Sequence, residues 1–130
     1  EFRRVLFRSA SLFGLLSIAF GAFGAHSLKA LISVESLQTF ETGIRYQMYH
    51  ALVLLFVGST TLIQQKNKKI IFYLIAFGVI FFSGSIYGLA TNNLTSFDFK
   101  TLGFITPIGG LLLIASWILL LINFIKMKSK

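Results

Sequence analysis

Residues 70–97 read IIFYLIAFGVIFFSGSIYGLATNNLTSF, a run of 28 residues between Lys69 and Asp98 that carries no formal charge. A helix crosses the roughly 30 Å of hydrocarbon in a bilayer with about 20 residues, because each residue rises about 1.5 Å. Polar and apolar positions do not alternate along this run as they do in a barrel strand. The run therefore predicts a membrane-spanning helix.

The rest of the chain contains three similar uncharged runs, each bounded by charged residues. There are 20 residues between Arg8 and Lys29, 20 between Arg45 and Lys66, and 25 between Lys100 and Lys126. Each run reaches membrane length. We predict four spans in a single domain, at residues 10–25, 46–63, 70–90 and 105–125, with a basic tail at 127–130. The expected fold is an all-α membrane protein, a bundle of four transmembrane helices.

The composition fits a protein surrounded by lipid. Apolar residues make up 55% of the chain and charged residues 12%, against about a quarter in soluble domains. The net charge of +8 lies in short clusters, not on the continuous basic surface that nucleic acid requires. We therefore expect the lipid bilayer as a partner and no nucleic acid. Without cysteine, the chain offers no disulfide, thiolate metal site or cysteine nucleophile.

The distribution of positive charge predicts the orientation in the membrane, because lysine and arginine accumulate in cytoplasmic connections. If the four spans cross in turn, nine of the twelve positive charges fall on one side. These nine are Arg3, Arg4, Arg8, Lys66, Lys68, Lys69, Lys126, Lys128 and Lys130. We therefore predict that both termini are cytoplasmic. The predicted turn at 64–69 is short enough to make spans two and three antiparallel neighbours.

The first half of the chain leaves alternatives open. Residues 1–9 do not read as a native start, and we expect them to be non-native or disordered. The basic start, the apolar stretch and the small residues at 22–25 also fit a cleaved signal peptide. In residues 27–45, apolar positions recur at near-helical spacing. This predicts either a short amphipathic helix in the outer interface or an N-terminal extension of span two, broken at Gly43.

Small residues at four-residue spacing predict where the spans pack, because burial from water cannot hold helices together in lipid. They are Ser17, Gly21 and Ala25 in span one, and Gly84 and Gly88 in span three. Trp117 falls near the middle of span four, where its indole N–H needs an acceptor inside the bundle.

Polar side chains in or beside the spans are the candidates for function, because such groups are costly in lipid. None of the four predicted spans contains Asp or Glu, which argues against a carboxylate-driven exchanger. His26 ends span one, and His50 begins span two about 7 Å deeper than Arg45. Eight residues are expected toward the outer side: His26, Arg45, Tyr46, Tyr49, His50, Ser83, Ser85 and Thr106.

Three interpretations of this outer polar cluster are open. Its members either bond to one another and anchor helix ends, or form an outward-facing pocket for a small ligand or lipid headgroup. The third, a two-histidine metal site, is short of ligands because the spans hold no carboxylate or thiolate, so we predict no metal and no cofactor. Hydrolytic catalysis lacks an acid to orient a histidine base, so we expect no enzymatic activity.

Four segments in order along the chain carry a family resemblance. They are 21–26 (GAFGAH), 45–52 (RYQMYHAL), 82–87 (FSGSIY) and 105–110 (ITPIGG). They resemble the successive signatures of the domain of unknown function 423 family, small bacterial membrane proteins whose eukaryotic relatives are called transmembrane protein 256. The resemblance implies a four-span membrane protein, and it implies no activity.

These features predict a non-enzymatic membrane protein that binds a partner protein or a lipid-like molecule through the outer polar cluster. The alternative is a transporter or channel subunit that works as a homo-oligomer, because four short spans rarely enclose a path alone. A content rich in Ile, Phe, Lys and Asn indicates an AT-rich bacterial genome, and hence the plasma membrane.

Overall fold

The computed structural model describes residues 2–94, 98 and 103–127. They form four long helices: α1, Phe2–His26; α2, Val34–Ser59; α3, Gln65–Ala90; and α4, Ile105–Ile125. Single 3-10 turns follow α1 at Leu28–Ala30 and α3 at Asn92–Leu94. No strand occurs in these described ranges, which confirms the expected all-α class.

Consecutive helices pack against each other, α1 against α2, α2 against α3, and α3 against α4. Because the connections on each side of α2 are short, its neighbours run antiparallel to it. Three helices, α1, α3 and α4, are long and apolar enough to cross a membrane. α4 coincides with the fourth predicted span, and α3 begins at Gln65, before the third one.

α2 differs most from its predicted span at 46–63. It begins at Val34, after the N-cap residue Ser33, whose hydroxyl accepts a hydrogen bond from a backbone N–H of the first turn (3.1 Å). The helix continues through Gly43 without a break. Residues 34–45 are therefore an extension of α2, and the alternative of a separate interfacial helix is wrong.

α2 also ends earlier than predicted. Its last residue is Ser59, so the turn to α3 occupies residues 60–64 and not 64–69. Lys68 therefore lies in the first turn of α3, where it is buried and donates a hydrogen bond from its ammonium to the backbone oxygen of Thr60 (2.6 Å). A cation at the carboxyl end of a helix is favoured by the helix dipole, so this lysine stabilises the end of α2.

The first residues are helical rather than disordered. α1 begins at Phe2, and Leu6 is fully buried in the main core. The rings of Phe2 and Phe72 meet edge to face with their centroids 5.3 Å apart, which holds the start of α1 against α3. The disordered start expected from the sequence is therefore not found in residues 2–9.

Helices make close contacts at glycines outside the predicted stripes. At Gly109, an added Cβ would collide with the backbone of Phe82 and Gly78, so α3 and α4 touch main chain to main chain. At Gly58, an added Cβ would lie 2.8 Å from the ring of Phe7, where α1 meets α2. Close approach of this kind is what holds helices together in lipid.

Most residues of the predicted packing stripes do not make such contacts. Ser17 is buried, as expected. A Cβ added at Gly21 or Gly84 would meet no atom within 4 Å, and Ala25 is exposed, while Gly88 is half-buried. The spacing places these residues on one face of a helix, but it does not say which face meets a neighbour.

One end of the bundle contains the start of α1, residues 60–69 and the end of α4, and is called the basic end below. There the ammonium of Lys69 lies 5.6 Å from the ring centroid of Phe2. The side-chain amide of Asn67 donates a hydrogen bond to that of Asn123 (2.8 Å). These contacts bring three basic segments of the sequence to the same end of the molecule.

Candidate functional site

Gln47 of α2 joins three helices through its buried side-chain amide. The amide nitrogen donates to the backbone oxygen of Phe13 in α1 (2.8 Å), and the amide oxygen accepts from the hydroxyl of Tyr87 in α3 (2.7 Å). The hydroxyl of Ser17 donates to the same Phe13 oxygen (2.8 Å). An unpaired amide is costly in lipid, so these bonds fix α1, α2 and α3 relative to one another.

His50 joins α2 to α4. The indole N–H of Trp117 donates to Nε2 of His50 (3.1 Å), and Nδ1 of His50 lies 2.7 Å from the backbone oxygen of Tyr46. Because an indole only donates, Nε2 is the acceptor and the ring proton is on Nδ1, which donates to Tyr46. His50 is thus a neutral imidazole with both nitrogens engaged. The expectation that Trp117 finds an acceptor inside the bundle is confirmed.

The hydroxyl residues of the cluster bond across helix interfaces. Ser83 donates to the backbone oxygen of Gly43 (2.7 Å) and so ties α3 to α2. The hydroxyls of Ser85 and Thr106 lie 2.5 Å apart and tie α3 to α4. Since both nitrogens of His50 are engaged, that ring is not available as a base for either serine.

The other members of the cluster are exposed. Arg45 donates to the hydroxyl of Thr42 (3.0 Å), and His26 lies at the exposed end of α1. Tyr46 is 40% exposed and Tyr49 is 51% exposed, with their ring centroids 5.7 Å apart. Within the described part of the chain, neither tyrosine hydroxyl has a hydrogen-bond partner.

None of the eight predicted residues lines any of four cavities between described residues, and the two histidines lie at different levels of the bundle. His26 is the last residue of α1, whereas His50 lies well inside α2, because that helix begins at Val34. Every buried side-chain N or O atom among the described residues has a hydrogen-bond partner. In the same residues, no group of three or more His, Cys, Asp or Glu could hold a metal ion. The members of the cluster that are not exposed therefore join neighbouring helices through hydrogen bonds. Together with Gln47, Tyr87 and Trp117, they are called the polar network below.

The eight candidate residues do not include Gln47 and Tyr87, which are members of this network. An amide inside a membrane-length run is a visible signal, since a neutral polar side chain there needs a partner. The partners could not be found, because Phe13 lies 34 residues before Gln47 in the sequence and Tyr87 lies 40 residues after it.

Beside the polar network, an apolar groove of about 460 Å³ runs between α2 and α4 and is called the α2–α4 groove below. It is lined by Leu52, Val53, Phe56, Trp117, Leu120, Leu121 and Phe124. Tyr49 lies three and four residues before Leu52 and Val53, so it shares their face of α2. The groove therefore has hydrocarbon walls, and Tyr49 lies about one turn beyond one end of it.

Three membrane-length helices, tied by a buried polar network, define a multi-pass α-helical membrane protein. Residues 20–110 match the family described as "Protein of unknown function (DUF423)". The chain belongs to this DUF423 family, as the four ordered motifs predict.

Curated relatives cover most of the chain. A UPF0382 membrane protein of Staphylococcus aureus is 44% identical over 108 residues, which is 83% of this chain and 84% of the relative. Another, of Staphylococcus haemolyticus, is 41% identical over 112 residues, 86% of this chain and 88% of the relative. The UPF0382 inner membrane protein YgdD of Escherichia coli is 34% identical over 125 residues, 93% of this chain and 89% of the relative. No solved structure matches the chain.

Proposed function

We propose that this protein crosses the bacterial plasma membrane four times, with both termini in the cytoplasm. The charge distribution supports this orientation, because three basic segments gather at the basic end. α2 is the short crossing, since its uncharged part, residues 46–59, has 14 residues and a length of about 21 Å. Arg45 is exposed and can extend its guanidinium toward the membrane interface on the side away from the basic end. A relative named as an inner membrane protein supports the location.

We propose further that the protein acts by binding rather than by catalysis, and that it holds a lipid-like molecule in the α2–α4 groove. The observation that carries this proposal is the contrast between the groove and its surroundings. The groove has an almost wholly apolar lining, and the one polar side-chain group in that lining, the indole N–H of Trp117, is bonded to His50. Such walls favour a hydrocarbon chain over a hydrated solute, and about 460 Å³ is a usual size for a ligand pocket.

Tyr49 gives the groove a polar end. Its hydroxyl has no partner within the described residues, and its ring is half exposed. A single-chain amphiphile fits this arrangement, with its chain along Phe56 and Phe124 and its hydroxyl or carboxyl head at Tyr49. The ligand class follows from the chemistry of these walls.

The satisfied polar network also favours binding over transport by a single copy. A solute path needs polar groups that can exchange their partners with a passing solute or with water. Here the buried polar atoms among the described residues are already paired, most of them with backbone oxygens or with side chains of a neighbouring helix. Among the described residues, the bundle therefore offers a passing solute no unpaired buried side-chain N or O atom.

Trp117 makes the proposal testable, because it is the only tryptophan in the chain and it lines the groove. The protein is placed in phosphatidylcholine nanodiscs and titrated with dibromostearic acid, whose bromine atoms quench indole fluorescence. We expect quenching that saturates at a low mole fraction of the brominated chain. Val53→Phe fills the groove and should weaken this response severalfold. Leu55→Phe is the matched control, since Leu55 is on the same helix, exposed, and outside the groove.

Two results would contradict the proposal. If quenching rises in proportion to the mole fraction of the brominated chain, without saturation, and is equal in both variants, then the brominated chain reaches Trp117 only as ordinary boundary lipid. Solute flux in liposomes that is lost in His50→Ala would favour the homo-oligomeric transporter instead.

A further inference from the structure

A second cavity, of about 440 Å³, lies at the basic end and is called the basic-end pocket below. Asn123 of α4 and Lys126, the residue after α4, line one side of it, whereas Gln64, the N-cap of α3, and Asn67 in the first turn of α3 line the other. At 100° per residue, Lys126 lies about 180° around α4 from Trp117. The pocket is therefore separate from the α2–α4 groove, and its occupation is independent of the function proposed above.

The walls of this pocket are divided by polarity. Its apolar lining residues are Leu62, Leu119, Ile122 and Met127. Of these, Leu119 and Ile122 lie one to two turns further from the end of α4 than Lys126, whereas Leu62 and Met127 lie near the mouth. Three carboxamides and an ammonium form its polar side: Gln64, Asn67, Asn123 and Lys126. Asn67 donates to Asn123, which in turn donates to the backbone oxygen of Leu119, so these amides are held in place (2.8 Å each). The pocket thus offers a fixed polar mouth below a hydrocarbon wall.

The electrostatics of the mouth favour an anion. Gln64 is the N-cap of α3, but its side chain accepts no hydrogen bond from the backbone N–H groups of the first turn of α3. These groups and the positive end of the helix dipole favour a negative charge. At the end of α4, the oxygens of Ile122 and Phe124 are already paired with the backbone N–H groups of Lys126 and Met127. Two of the last carbonyl oxygens of α4 are therefore paired, and the ammonium of Lys126 lies at the same end of that helix.

The charged side chains around the mouth have one dominant sign. Lys66 and Lys69 are exposed in the first turns of α3, and Lys126 is exposed at the end of α4. Of the four acidic residues in the sequence, Glu35 and Glu41 lie in the part of α2 remote from Ser59, and Asp98 lies in the connection between α3 and α4. The fourth, Glu1, is outside the described residues.

We propose that the basic-end pocket binds the phosphate of an anionic phospholipid headgroup. The phosphate lies between Lys126, the amides of Gln64 and Asn67, and the start of α3. The first part of one acyl chain lies along Leu119 and Ile122. A phosphodiester that carries a hydrocarbon chain satisfies both sides of the pocket, whereas a free phosphate would leave the apolar wall bare. The polar mouth is also at the depth where headgroups lie, at the end of membrane-length helices.

Native mass spectrometry of the full-length protein in detergent tests this proposal by counting bound lipids. The probes are phosphatidylglycerol, phosphatidylcholine of the same chain length, and inorganic phosphate as a competitor. We expect phosphatidylglycerol to bind in preference to phosphatidylcholine, and inorganic phosphate not to displace it. Lys126→Gln should weaken phosphatidylglycerol binding about fivefold. Lys66→Gln, which removes the same charge outside the pocket, should weaken it less than about twofold.

A second pair of variants distinguishes the effect of a negative charge inside the pocket from the effect of the same charge outside it. Gln64→Glu places a carboxylate in the mouth, and Gln65→Glu places one on the neighbouring exposed residue outside the pocket. Both should keep the helical circular dichroism of the parent protein, and only Gln64→Glu should reduce binding strongly. Equal losses within each pair, or equal binding of the two lipids, would overturn the site. Displacement by inorganic phosphate would overturn the assignment to a lipid.

Discussion

At the scale of single residues, the polar network shows how neutral side chains organise a bundle in lipid. Gln47 uses its oxygen and its nitrogen on different helices, and His50 uses both ring nitrogens. Bonds of this type contribute on average less than about 1 kcal/mol each in membrane proteins, because the separated helices also find partners. Their value lies in fixing one register, since a shift of any helix would leave several groups unpaired.

We predict that Gln47→Leu lowers the free energy of unfolding by about 1–2 kcal/mol, because it leaves the Tyr87 hydroxyl without its acceptor. The measurement is unfolding in mixed micelles with increasing sodium dodecyl sulfate, followed by circular dichroism. Adding Tyr87→Phe should recover part of the loss, since it removes the unpaired hydroxyl. Gln38→Leu, at an exposed position of the same helix, should change little. A loss of equal size at Gln38 would mean that the amide bonds are not the cause.

At the scale of helices, the contact between α3 and α4 depends on two glycines. Gly109 lies against the backbone of Phe82 and Gly78, and Gly78 lies against Leu113. The ends of the same contact are tied by polar pairs. Ser85 pairs with Thr106 at one end, and Asn67 with Asn123 at the other. The predicted GxxxG of α3 instead opens to the surroundings at Gly84.

We predict that Gly109→Ala destabilises the bundle by about 1–3 kcal/mol, because its methyl group would overlap the main chain of Phe82 and Gly78, which cannot move aside as a side chain would. Gly84→Ala is the matched control, as its methyl group would meet open space. It should be neutral or stabilising by about 0.5–1 kcal/mol through its higher helix propensity. Unfolding in mixed micelles compares the two variants. If Gly84→Ala were the more damaging change, the α3–α4 contact described here would be incorrect.

At the scale of the whole molecule, α2 decides how the chain lies in the membrane. Its first part carries Glu35, Glu41 and Arg45, which explains why it lacks the apolar character of the other three helices. If α2 crosses, the turn at Leu28–Ala30 and the turn at 60–64 are on opposite sides. If it does not cross, they are on the same side.

Labelling of single cysteines distinguishes these topologies directly, because the chain has no cysteine of its own. We predict that Ala30→Cys and Asn93→Cys, both at exposed positions, react with an impermeant maleimide added to intact cells. Lys66→Cys should react only after the membrane is opened. Reaction of Ala30→Cys and Lys66→Cys from the same side would contradict four crossings. Labelling of Lys66→Cys in intact cells would reverse the proposed orientation.

The local sequence pattern was enough to predict that these helices exist, but not the residues at which they begin and end. The run at 105–125 has no competing signal, and α4 follows it. For α2, the charge of Arg45 sets the start of the predicted span, but a helix does not have to begin where an uncharged run begins, and the N-cap at Ser33 starts α2 earlier. Likewise Lys68 reads as part of a loop, although it is buried in the first turn of α3.

By itself the sequence determined that this is an all-helical, cysteine-free membrane protein of the DUF423 family, because the length of an uncharged run and the order of short motifs are local properties. Only the tertiary structure decided which glycines meet, that Gln47 and His50 are occupied by Phe13, Tyr87 and Trp117, and where cavities remain open. Those outcomes depend on how each helix is rotated toward its neighbours. That rotation is set by contacts between residues far apart in the chain.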